Sequence, residues 1–231
     1  MTGLLERLQQ RRLLAIVRGS DPDAALASLH VLADEGIDLV EVSLTTVDAL
    51  SVIRRADTEM GGLIGLGAGT VLTAADAQAA VEAGAAYLVT PGISAGAREG
   101  IRLGVPVLVG ALTPSEVVAA VELGATAVKL FPVAQLGGPP YLRALRAPFP
   151  DVPFVPVGGV ATEAVPAYLA AGAVAVGVGS PLIGDAADGG DLRALAERAR
   201  AIRAAAHRSP PADQNQPATR DDRAAQRAAD R

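Results

Sequence analysis

Of the 20 Lys and Arg residues in this 231-residue chain, a single one is lysine, Lys129. It lies in the apolar run AVKLFP, where a structural ion pair would gain little net stability because each ion must first be stripped of water. Arginine, with its rigid fork of donors, is the better buried ion-pair partner and fills every other basic position. What lysine alone offers is an amine that sheds its proton when burial or a neighbouring cation lowers its pKa, and then attacks a carbonyl. Two other charged residues stand in similar runs, Glu41 in LVEVSL and Arg18 in AIVRG.

These three residues converge only if the elements that hold them do. Five segments end a helical pattern on glycine and then open an apolar run, at Gly36, Gly84, Gly104, Gly124 and Gly172; three of these glycines are spaced by 20 residues. Helix starts are marked by Asp21-Pro22, by Thr113-Pro114-Ser115-Glu116 and more weakly by Thr73-Ala74-Ala75-Asp76. The spacing predicts eight strands, over 13–18, 38–44, 63–67, 86–90, 105–109, 126–131, 153–157 and 173–178, each followed by a helical pattern, the last over 191–206. Eight β-α units over 1–208 read as a single-domain α/β fold, a (β/α)8 TIM barrel. The competing open doubly wound sheet lacks its glycine fingerprint, since the first strand runs into RGSDPDAA. The segment 209–231 has no Val, Ile, Leu or Phe and is expected to be a solvated, disordered tail.

Period-two geometry then orients the side chains. Ala127, Lys129 and Phe131 share one face, as do Glu41 and Ser43, while Arg18 follows Leu14 and Ile16. If those faces point into the barrel, a cation, a carboxylate and a second cation meet near its mouth, at the strand C-termini where such barrels place their active sites. Other strand ends carry Thr70, Pro91, Gly158-Gly159 and Gly179-Ser180. Loops after strands seven and eight of a barrel often cradle a phosphate with backbone N–H groups, so a phosphorylated substrate is expected.

Composition excludes several classes. There is no cysteine for a disulfide or a zinc–thiolate site, and neither His30 nor His207 falls at a strand end, so no metal and no cofactor is expected. A net charge of -5 with 3 % aromatics offers nucleic acid neither a basic field nor a stacking platform. No apolar run reaches the roughly 18 residues of a membrane span, and Met1 to Arg12 lacks the apolar centre of a secretory signal, so a cytoplasmic location is expected.

Read together and in order, AIVRG at Arg18, VEVSL at Glu41, LGAGTV at 66–71, VTPG at 89–92, AVKLFP at Lys129, PVGGV at 156–160 and VGVGS at 176–180 resemble one family. This is the class I aldolases for 2-keto-3-deoxy-6-phosphogluconate, also described as 4-hydroxy-2-oxoglutarate aldolases. The resemblance spans about positions 10 to 205. It implies that Lys129 forms a Schiff base with the C2 carbonyl and that Glu41 shuttles protons. Arg18 and Thr70 would hold the pyruvyl carboxylate, with Pro91 and Phe131 walling its pocket. Gly158, Gly159, Gly179 and Ser180 would hold the distal phosphate. The products would be pyruvate and glyceraldehyde 3-phosphate, and the assembly a homotrimer. Two positions depart from the gluconate-type pattern. Thr45 stands where some members carry arginine, and Val157 resembles the 6-phosphogalactonate members, so both C4 epimers stay open. Two other readings also stay open at this point: a phosphate-binding barrel that isomerises or epimerises a sugar phosphate without an imine, and a non-catalytic barrel that senses a phosphometabolite.

Overall fold

The computed structural model describes residues 3–208; the tail expected over 209–231 lies outside them. Eight strands, β1 (Leu13–Val17), β2 (Leu39–Ser43), β3 (Gly65–Gly69), β4 (Tyr87–Val89), β5 (Val107–Ala111), β6 (Ala127–Leu130), β7 (Phe154–Pro156) and β8 (Val176–Val178), pair in parallel in the order β7-β6-β5-β4-β3-β2-β1-β8. A parallel bridge between Val157 and Gly177 links the two end strands, giving a nearly closed TIM barrel.

The ten helices of the described residues are α1 (Leu4–Arg11), α2 (Pro22–Asp34), α3 (Ala49–Met60), α4 (Ala74–Glu82), α5 (Ala95–Arg102), α6 (Pro114–Leu123), α7 (Gly138–Arg146), α8 (Val165–Ala170), α9 (Ser180–Ile183) and α10 (Leu192–His207). The start signals act as their chemistry dictates. The Asp21 carboxylate accepts from the N–H groups of Asp23 and Ala24, and Thr73/Asp76 and Thr113/Glu116 form reciprocal capping boxes. Gly124 ends α6 at φ 96°, a left-handed cap that turns the chain into β6. None of these helices is long and apolar enough to cross a membrane.

Alternation along the strands separates two cores. Val40, Val42, Val128 and Leu130 pack outward in the cluster shared with the helices. Leu14, Ile16, Leu39, Tyr87, Val89, Leu108, Ala127, Val155, Val157 and Ala175 fill the barrel, joined by Leu8 of α1, which closes the end opposite the strand C-termini. That plug helix was not among the elements expected, although Leu4 and Leu8, one turn apart, form the apolar face that it turns to the barrel.

Two strands lie later than the sequence predicts. β3 occupies Gly65–Gly69 rather than 63–67, and β5 occupies Val107–Ala111 rather than 105–109. β3 has no run of apolar side chains because it supplies space instead. A Cβ on Gly67 would lie 2.3 Å from the Tyr87 ring, and one on Gly65 would lie 2.7 Å from Leu39. Neighbouring strands thus fill the room that β3 leaves, which no local apolar pattern reveals.

Candidate active site

At the C-terminal ends of the strands a cavity of about 930 Å³ opens. Arg18, Thr70, Pro91, Lys129, Phe131, Gly158, Gly159, Gly179 and Ser180, drawn from six strand ends, all line it. Glu41 lies behind this wall beside Lys129. Their Nζ and Oε1 atoms are 4.0 Å apart, with the side chains 8 % and 1 % exposed. The Lys129 ammonium position also lies 5.4 Å from the Phe131 ring centre, within range of its π face.

Each of these positions has a local cause. Glu41 Oε1 fits because β3 turns Gly69 toward it; a Cβ there would come within 2.5 Å of that oxygen. Gly110 pairs with Lys129 across β5 and β6, and a Cβ on it would meet the Pro91 backbone at 2.1 Å, so glycine lets the β4 loop close over the amine. Gly158 and Gly159 follow β7 at φ 97° and 73°, conformations that L side chains rarely adopt, and turn their backbone along the cavity wall.

Burial is the main influence on Glu41. It pushes the carboxyl above its usual value, against the pull of the Lys129 and Arg18 charges. Glu41 Oε2 is buried without a hydrogen-bond partner among the described residues. Beneath it the Tyr87 hydroxyl donates to the Val40 carbonyl at 2.6 Å. Burial, with the Glu41 charge second, raises the Tyr87 phenol well above its ordinary value, so it stays neutral. The pair therefore sets an amine beside a carboxyl whose burial favours its protonated form against the pull of two cations, an arrangement suited to general acid–base work.

Several polar residues at the site were not singled out from the sequence. The Ser43 hydroxyl stands 2.9 Å from Thr70 Oγ1 and 2.8 Å from Thr45 Oγ1, and accepts from Arg18 Nε at 3.4 Å. Period two had turned Ser43 inward with Glu41, and that was its only signal. Farther out, Asp188 Oδ1 accepts from the backbone N–H and hydroxyl of Ser20 at 2.6 and 2.8 Å, tying the loop after β1 to the loop after α9. These bonds hold the Asp188 carboxyl below its usual value. No sequence motif marked it, since the two residues are 168 positions apart.

A sequence model described as KDPG and KHG aldolase matches residues 4–197. The chain is 37 % identical over 172 residues to the 2-dehydro-3-deoxy-6-phosphogalactonate aldolase of Escherichia coli K12, covering 74 % of this chain and 83 % of that protein. It is equally 37 % identical, over 163 residues, to a 2-dehydro-3-deoxy-phosphogluconate aldolase of Pseudomonas aeruginosa, covering 70 % of this chain and 74 % of that one. Among solved structures it resembles the KDPG aldolase of Legionella pneumophila with pyruvate captured as a covalent carbinolamine. That match has a TM-score of 0.76 at 26 % identity and covers 89 % of this chain and 97 % of the other. With an amine and a buried carboxyl together at the mouth of such a barrel, the chain belongs to the KDPG and KHG aldolase family.

Proposed function

We propose that the protein is a metal-independent class I aldolase. It cleaves 2-keto-3-deoxy-6-phosphogluconate, or its C4 epimer, to pyruvate and glyceraldehyde 3-phosphate, and also splits 4-hydroxy-2-oxoglutarate to pyruvate and glyoxylate. The observation that carries the reading is the buried Lys129–Glu41 pair at the back of the cavity.

The Lys129 amine adds to the C2 carbonyl, and protonated Glu41 gives its proton to the carbinolamine hydroxyl, which leaves as water, so that an iminium and an ionised Glu41 remain. Ionised Glu41, directly or through one water, takes the proton of the C4 hydroxyl as the C3–C4 bond breaks. The bonding pair flows into the iminium and becomes an enamine, and the aldehyde departs. Glu41, now protonated, returns its proton to C3, and water frees pyruvate from Lys129. A carboxyl raised above its usual value is suited to both the taking and the giving.

The roles at the two ends of the cavity are those that the family resemblance implies, and the donor chemistry suits them. The Arg18 guanidinium and the Thr70 hydroxyl hold the planar carboxylate, Pro91 and Phe131 flank the keto group, and Gly158, Gly159, Gly179 and Ser180 offer backbone and hydroxyl donors to the distal phosphate. The phosphorylated keto acid is thus the expected partner. A homotrimer in the cytoplasm is proposed on the family resemblance, and sedimentation of the purified protein tests the assembly.

Pyruvate followed by borohydride reduces the imine to a permanent secondary amine. Mass spectrometry is expected to find the adduct on the peptide that carries Lys129, and absence of that adduct would overturn the aldolase in favour of an isomerase or a sensor. Pyruvate release measured side by side from the gluconate and galactonate substrates assigns the epimer.

A further inference from the structure

Ser43 is wholly buried and does not line the cavity, yet it touches both residues assigned to the carboxylate. Its oxygen accepts from Arg18 Nε at 3.4 Å and from the Thr45 backbone N–H at 3.5 Å, and lies within 2.9 Å of two threonine hydroxyls, Thr45 and Thr70. A serine hydroxyl has one proton to give. It therefore donates to at most one of the two threonines, and at least one of them donates to it.

The direction of these bonds decides what the cavity sees. The threonine that accepts the Ser43 proton keeps its own O–H free to turn toward a ligand. The threonine that donates inward offers only lone pairs. An anionic carboxylate needs the first kind. Thr70 carries a second, independent mark, because its backbone sits at φ 61°, in the left-handed region that a β-branched residue rarely enters. Such a conformation persists only where the surroundings over-determine it, and the bond to Ser43, 27 positions away, is the side chain's anchor there.

We propose that Ser43 is a positioning residue for the carboxylate end of the substrate. It gives its proton to Thr70, receives that of Thr45 and steadies the Arg18 guanidinium, so that Thr70 O–H and the terminal N–H groups of Arg18 face one carboxylate together. This rests on the aldolase reading above, and the experiment separates the two.

The half-saturation of borohydride trapping is measured in parent, Ser43→Ala, Thr70→Val and the double variant, with pyruvate and with pyruvamide, its neutral analogue. Ser43→Ala is expected to raise the half-saturation for pyruvate about tenfold while leaving that for pyruvamide and the trapping at saturation within about twofold of parent. Most of the Ser43→Ala loss should vanish in the Thr70→Val background, leaving only the part that acts through Arg18. Equal losses for pyruvate and pyruvamide, additive effects in the double variant, or no change in Ser43→Ala would each overturn the proposal with the aldolase intact. A parent protein that traps no pyruvate removes the aldolase and this inference with it. Should Ser43→Ala fail to fold, Ser43→Cys, which replaces the hydroxyl by a slightly larger and weaker donor, is read in its place with the same criteria.

Discussion

Lys129 Nζ and Glu41 Oε1 stand 4.0 Å apart in a barrel interior where both side chains are almost wholly dry. The separation is longer than a direct hydrogen bond, and the second carboxyl oxygen has no partner among the described residues. A pair built for stability would close that contact and satisfy that oxygen. The arrangement leaves room beside the amine for a carbonyl carbon and, beside the carboxyl, for the proton it must move.

Separating the two groups by mutation should separate two steps. Lys129→Ala is expected to abolish both trapping and turnover. Glu41→Gln keeps the amine and the shape, so it should lower turnover by roughly 10²–10⁴-fold, the usual worth of a positioned acid–base group, while pyruvate is still trapped at Lys129, more slowly. Pyruvate-release rates beside adduct mass check this. A Glu41→Gln protein with near-parental turnover would remove Glu41 from the chemistry.

The same carboxyl should leave a signature in stability. Its folded-state pKa is raised, chiefly by burial, above the usual 4.5. Folding thus favours the protonated form. The contribution is fully present below about 4.5 and is lost as pH rises through the folded pKa. Relative to Glu41→Gln, the parent should lose stability as pH climbs from about 4.5 toward neutrality. Urea unfolding of both proteins at a series of pH values measures the difference, and a gap that stays flat over that range would contradict the assignment.

Gly69 offers a test that leaves both reactive groups in place. A Cβ there would sit 2.5 Å from Glu41 Oε1, the movable tip of a side chain, and meets no backbone that closely. Gly69→Ala should therefore cost little stability, about 1 kcal/mol, yet displace the carboxyl and lower turnover at least tenfold, since an ångström of misplacement is that expensive to catalysis. Unfolding midpoints and turnover on the same preparation decide it. Equal, small changes in both would mean that Glu41 simply leans aside without consequence.

The opposite end of the barrel predicts the reverse pattern. Leu8 of α1 is fully buried in the inner cluster, far from the strand C-termini. Leu8→Ala should cost about 2–5 kcal/mol through lost burial and the cavity left behind, with the Michaelis constant of the folded fraction unchanged. Denaturant unfolding and steady-state kinetics check the two halves.

What the sequence reveals, and what it hides, follows from the range of the interactions. Lys129, Glu41 and Arg18 are legible because each is an ion in a strand-length apolar run, and because period two assigns the face from neighbours one or two positions away. The barrel is legible because the Gly-to-strand junction repeats along the chain. β3 is displaced from its expected place because Gly65, Gly67 and Gly69 are set by Leu39, Tyr87 and Glu41 on adjacent strands. The bonds of Ser43 to Arg18 and Thr70 and the Ser20–Asp188 tie join residues 25 to 168 positions apart, and their residue types are those of any surface loop. Only folding gives such residues a partner.

The distal end of the cavity can be tested apart from the pyruvyl end. Gly158 sits at φ 97°, and a Cβ on it would press on the Phe131 ring at 3.0 Å and the Pro132 backbone at 3.1 Å. Gly158→Ala must therefore either bear a left-handed alanine, at about 1–2 kcal/mol, or turn the loop and move its N–H groups from the cavity wall. If those groups bind the phosphate, the Michaelis constant for the six-carbon phosphorylated substrate should rise at least tenfold. The half-saturation for pyruvate in borohydride trapping should hold within about twofold, because Arg18 and Thr70 follow other strands, β1 and β3. Pyruvate affinity falling in step with that of the phosphorylated substrate would show that the change reaches Lys129 through Phe131, and the phosphate role of this loop would be withdrawn.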